Sequence, residues 1–164
     1  LPNNKNIILA AQQAQALADK RVRVIATRTV PQGVSALLAY NYGADLDDNA
    51  RAMERSIDDV RTAEITTAVR DVSLNGLQVQ EGQVIGLVDD ELTLAGQELE
   101  MVAREMLARM VTDEDEIMTF YYGDTVSSES AHALVEEIES LYPDIEVELI
   151  EGGQPHYHYI ISVE

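Results

Sequence analysis

The sequence predicts an α/β protein built as two small lobes. Two observations carry that expectation. Runs with apolar residues at helical spacing alternate with short β-branched runs. Near residues 60–63 the pattern changes from helix-rich to a succession of short strands. At 164 residues and 46% hydrophobic, the chain has material for a sizeable core.

Residues 6–18 (NIILAAQQAQALA) are rich in Ala, Leu and Gln at helical spacing, and Asn3 or Asn4 can cap the start, so the first element is a helix. Residues 21–26 (RVRVIA) alternate and are β-branched, which predicts a strand. Pro31 then stands in the first turn of a helix over residues 31–41. Residues 45–60 predict an amphipathic helix, with Asp45, Asp47 and Asp48 near its positive end and Leu46, Ala50, Met53 and Ile57 along one side. Helix, strand, helix at this density is the rhythm of a parallel α/β layer, which makes residues 1–60 the first lobe. Leu1 to Asn4 reads as the end of a strand running into a helix, so the chain is expected to begin inside that lobe.

The second lobe, residues 61–164, opens with strands over 64–70, 72–80 around the Asn75-Gly76 turn signal, and 83–89. Asp89-Asp90 then turns the chain into residues 91–94, and a meander is the simplest account of the four runs. A helix over 97–110, a strand over 117–122, a helix over 128–141 and strands over 145–150 and 157–163 complete an α/β sandwich carrying that added meander. Ser127 or Ser128 can cap the second helix, and Pro143 stops it.

Composition removes several functions. There is no Cys, so disulfides, thiolate metal sites and a Cys nucleophile are excluded. No apolar run is long enough to cross a bilayer and no targeting signal opens the chain, so the expected location is the cytoplasm. The net charge of −19, from 30 Asp+Glu against 11 Lys+Arg, repels nucleic acid and anionic lipid surfaces. It attracts a basic protein, or it serves solubility alone.

The motifs of catalysis are missing. Neither G-x-x-x-x-G-K-[ST] nor G-x-G-x-x-G is present to cradle phosphates, and no G-x-S-x-G elbow presents a nucleophile. Gly152-Gly153-Gln154 lies between two strands, where a tight turn competes with an anion site. The acidic run at 113–116 reads as a solvated turn. His156 and His158 would share one side of a strand, opposite Tyr157 and Tyr159, without an evident third metal ligand. Thr27, Thr29 and Gln32 sit between a strand and a helix, where open α/β sheets collect ligands; the same groups can instead cap the helix.

These residues also carry a resemblance. Leu1-Pro2-Asn3-Asn4-Lys5-Asn6-Ile7 before an Ala/Gln helix, the segment from Thr27 to Gly33 before Ala36-Leu37-Leu38, Ala68-Val69-Arg70-Asp71, Gly82 to Gly86, and the ending from Gly152-Gly153-Gln154-Pro155 to Glu164 resemble the C-terminal region of the kinase subunit of bacterial fatty acid kinase, the DAK2-domain family. The resemblance implies a DegV-like fold and a non-catalytic role: docking a fatty-acid-loaded, DegV-like partner with a basic surface. It also implies that ATP and magnesium act on another domain of the parent, which dimerises elsewhere, so that no cofactor is expected here. Thr27, Thr29, Gln32, Asp45, Asp47, Asp48, Asp89, Asp90 and Glu91 are the candidate partner-binding residues; Asn3, Asn4, Gly152, Gly153 and Gln154 are candidate turn or ligand positions. Two competing readings are a DegV-like lipid-binding domain in its own right, which needs a deep apolar cavity, and an isolated enzyme, which needs a polar cluster with shifted ionisation.

Overall fold

A computed structural model describes residues 1–164 apart from Asn3, Asn75 and the side chain of Lys5. The chain divides into two compact units, Leu1–Val60 and Arg61–Glu164, and the whole is a mixed α/β protein.

The first unit holds α1 (Lys5–Leu17), α2 (Val30–Leu38) and α3 (Leu46–Asp58). Each starts at a side chain that accepts an otherwise orphaned amide: Asn4 from Ile7, Thr29 from Gln32, and Asp45 from Asp48. Pro31 stands in the first turn of α2, where its missing N–H costs nothing. The strand expected at 21–26 is not formed, which corrects the parallel layer expected in this unit. A strand is defined by its neighbour, and among the described residues of this unit there is no other strand to pair with. Side chains take the place of a ladder: Gln15 Oε1 accepts from the Val24 N–H at 2.9 Å, and Gln32 Oε1 from the Arg28 N–H at 2.9 Å. Burial nevertheless alternates strand-like through Ile25, Thr27 and Thr29. The unit's core is Ile25, Ala36, Ala50 and Met53, with Ala39 and Ile57 against it.

The second unit contains β1 (Arg61–Thr67), β2 (Val72–Leu74), β3 (Leu77–Val79), β4 (Val84–Val88), β5 (Glu91–Gly96), α4 (Leu99–Met110), β6 (Ile117–Tyr122), α5 (Ser128–Leu141), β7 (Glu146–Glu151) and β8 (Tyr157–Val163). The six-stranded sheet has the order β5-β4-β1-β8-β6-β7. β6 and β7 run parallel through the α5 crossover, while the remaining neighbours are antiparallel. β2 and β3 form a separate two-stranded hairpin, which corrects the single meander: β1 pairs directly with β4, so the hairpin between them is left out of the main sheet. Asn75 of the expected turn lies outside the described residues.

One face of the sheet carries the helices. Ala63, Ile65, Phe120, Tyr159 and Ile161 pack with Val102, Met106 and Leu107 of α4 and Leu134 and Ile138 of α5 in one core cluster. Phe120 and Tyr159 meet edge to face, with ring centroids 6.2 Å apart. On the opposite face, cross-strand register sets Leu92, Leu87, Glu64, Ile160, Tyr121 and Ile150 in a single row across all the strands. It is an apolar and aromatic row with one carboxyl group in its middle.

Candidate functional site

In the first unit the expected polar residues point inward. Thr27, Thr29 and Gln32 are buried. The Thr27 hydroxyl donates to the Pro2 carbonyl, Thr29 Oγ1 accepts from the Gln32 N–H at 3.4 Å, and the Gln32 carboxamide holds Arg28. They tie the chain's opening residues to the start of α2. The acids are neutralised locally: Asp47 meets Arg21 at 2.6 Å and Arg23 at 3.8 Å, and Asp48 pairs with Arg51. Asp45 caps α3, and the Asp48 amide holds its carboxyl below the ordinary value. Asn49, which no sequence motif marks, is buried and staples the turn before α3, accepting from the Asn41 N–H at 2.7 Å and donating to the Asn41 carbonyl at 2.9 Å. Asn4 caps α1, and Asn3 lies outside the described residues.

In the second unit, Gly152, Gly153 and Gln154 close a turn on the end of β6. The amides of Gly152 and Gly153 donate to the Tyr122 carbonyl at 3.0 and 3.2 Å, and Gln154 Nε2 donates to the Tyr121 carbonyl at 2.8 Å. Gly153 has φ +61, in the left-handed region that favours glycine. His156 lies before β8 at φ +74, so the two histidines do not share a strand face as expected. His158 is the extra residue where the β1–β8 register shifts, a β-bulge. Its Nε2 is 2.8 Å from Thr67 Oγ1 and its Nδ1 2.8 Å from Thr125 Oγ1. Burial holds the imidazole below its ordinary pKa, so the neutral ring donates to one hydroxyl and accepts from the other. Among the described contacts no carboxylate reaches the ring, and it acts as a clamp between β1 and the loop after β6.

The acids that converge are at the β4–β5 turn. Asp89 and Asp90, at φ +48 and +71, form a two-residue hairpin turn of the I′ kind. Asp89 folds back on β1: its N–H donates to the Thr62 carbonyl at 2.9 Å and its Oδ1 accepts from the Thr62 N–H at 3.1 Å. That brings the turn beside Glu64, the next residue of β1 on the helix-free face. Burial pushes the Glu64 carboxyl up to about 7, and the charges of Asp90 and Asp89 add to the rise. Tyr157 is raised by its own burial and by Glu64 and Asp90. Glu91 is exposed at the start of β5. None of the ion pairs among the described residues includes Glu64, Asp90 or Glu91. The sequence offered Asp89, Asp90 and Glu91 but not Glu64; its one signal was a lone carboxylate in the interior of a strand run. Chemically, such a group accepts a cation.

Within the described residues no helix is long and apolar enough to cross a membrane. Residues 1–164 match the family model for the C-terminal region of FakA-like fatty acid kinase subunits. An uncharacterized protein of Staphylococcus aureus (strain MRSA252) is 38% identical over 164 residues, 100% of this chain and 30% of that one. One of Staphylococcus epidermidis (strain ATCC 12228 / FDA PCI 1200) is 36% identical over the same span. The chain thus spans about 30% of the length of the curated relatives it matches. Among solved structures, a DegV family protein from Thermus thermophilus, described for its fatty acid binding, superposes with a TM-score of 0.57 at 16% identity, covering 98% of this chain and 67% of that one. The Streptococcus pneumoniae fatty acid kinase B3 protein loaded with linoleic acid gives a TM-score of 0.50 at 11% identity, covering 74% and 50%. At these identities the likeness is one of fold: DegV-like α/β.

Proposed function

Because the chain belongs to the C-terminal family of FakA-like fatty acid kinase subunits, we propose that it is the docking module of a two-component fatty acid kinase, with no chemistry of its own. In this reading it holds a fatty-acid-loaded, DegV-like partner with a basic surface. The fatty acid carboxylate then attacks the γ-phosphoryl group of ATP bound with magnesium on the parent's other domains, releasing ADP and forming acyl-phosphate. The setting is the cytoplasm, and the parent dimerises through another domain.

The observation that carries the reading is Glu64, with Asp89 and Asp90 beside it and no ion pair of its own among the described residues, on a chain of net charge −19. With its carboxyl near 7, Glu64 is about half ionised at neutral pH, and a cationic group laid against it favours the ionised form, while long-range attraction to the acidic chain speeds the encounter. The DegV-like fold supports a second reading, a lipid- or small-molecule-binding domain in its own right, which needs a deep apolar cavity. Among the described residues, the space between sheet and helices offers no such cavity: Met106, Met118 and Phe120 are at 0% exposure and Tyr159 at 1%.

Sedimentation with the DegV-family protein of the same organism, at low and high salt and with ATP turnover followed alongside, tests the reading. A complex that weakens with salt, without turnover by this chain, is the expected result. Absence of a complex at low salt, or turnover by the chain alone, refutes it.

A further inference from the structure

We propose that the apolar cleft between the β2–β3 hairpin and the helix-free face of the sheet is the anchor pocket of the docking surface. It takes one large apolar side chain of the partner, flanked by an arginine or lysine that lands on Glu64 and Asp90. The inference rests on the docking role and names the surface and the partner's contact chemistry.

The cleft follows from the topology. The hairpin is inserted between β1 and β4, and the Val72↔Val79 pair closes it. On the sheet, Thr66 pairs with Ile85 on one side and Tyr157 on the other, which sets those two side chains on the same face. Ala68, Val72, Val79, Ile85, Leu92 and Tyr157 line a half-open cleft of about 320 Å³ whose walls are mostly apolar. Small-molecule sites run to roughly 300–1,000 Å³, so this one is at the lower limit and suits a side chain better than a whole ligand.

Charge identifies the occupant. Glu64 is two residues back along β1 from Thr66, hence on the same face, and Tyr157 lines the cleft while feeling both Glu64 and Asp90. The carboxylates therefore border the apolar pocket. Arg70, which also lines the cleft, follows the opposite end of β1, so the cleft is negative at one end and positive at the other. A partner segment with its basic residue beside its apolar anchor, oriented toward Glu64, matches both features. Apolar or aromatic anchors seated in pockets, with charges at their margin, are how a few residues come to dominate an interface.

The test measures the dissociation constant of the full chain with the DegV-family protein of the same organism, across a salt series. Val72→Asn alters the separate hairpin and Leu92→Asn the edge strand β5, and neither residue belongs to the core cluster under α4 and α5; circular dichroism melts verify folding. Each variant is expected to weaken binding at least tenfold while keeping the salt dependence of the parent chain. Glu64→Gln combined with Asp90→Asn is expected to flatten the salt dependence. If the parent chain binds and both cleft variants, folded, bind equally well, the pocket is not the anchor although the docking role stands. If the parent chain itself does not bind, the docking role fails, and this inference with it.

Discussion

Glu64 shows what a single residue's surroundings do to its chemistry. A strand run of apolar and hydroxyl side chains leaves it half-buried, and the folded-back turn places Asp89 and Asp90 against it, so its carboxyl rises from an ordinary 4.5 to about 7. The folded protein therefore holds a proton that the unfolded chain gives up. The stability this group contributes is fully present below pH 4.5, falls as pH rises toward 7, and is lost above it. Glu64→Gln is expected to remove that slope. At pH 8 the variant should be more stable than the parent chain by about 1–2 kcal/mol, after discounting for solvent screening, with little difference at pH 4. Urea unfolding at the two pH values checks this, and an equal difference at both would contradict it.

At the scale of elements, the junction of β6 with β8 is where a small change should do most damage. An added Cβ at Gly123 would sit 2.1 Å from the Tyr157 carbonyl oxygen and 2.7 Å from that of Gln154, both backbone atoms that cannot swing away. Gly123→Ala should cost about 2–3 kcal/mol, read as a lowered urea midpoint, and should loosen the Gly152-Gly153-Gln154 turn with it. A variant with an unchanged midpoint would show that the junction has room to shift. β6, α5 and β8 were legible in the sequence to the residue, because alternation, a Ser cap and a Pro stop are local signals. The strand expected over 21–26 failed for the complementary reason: alternation reports burial on one side, and Ile25, Thr27 and Thr29 are indeed buried, but pairing needs a neighbour that no local pattern guarantees. The hairpin's exclusion from the main sheet was equally illegible, since it depends on β1 meeting β4 directly.

For the molecule as a whole, net charge was readable at once, but which acids matter was not. Asp47 and Asp48 are matched to nearby arginines, whereas Asp90 converges with Glu64 only after β4 and β5 turn back beside β1. In its proposed role this chain holds a lipid-loaded partner and leaves the phosphoryl transfer to other domains. Added in excess to the complete kinase, its partner and ATP, the chain should compete for the partner and suppress acyl-phosphate formation in proportion to its concentration, with Glu64→Gln combined with Asp90→Asn competing less well at low salt. Undiminished acyl-phosphate formation at saturating chain, or ATP consumption by the chain in the absence of the kinase, would rule out the docking role.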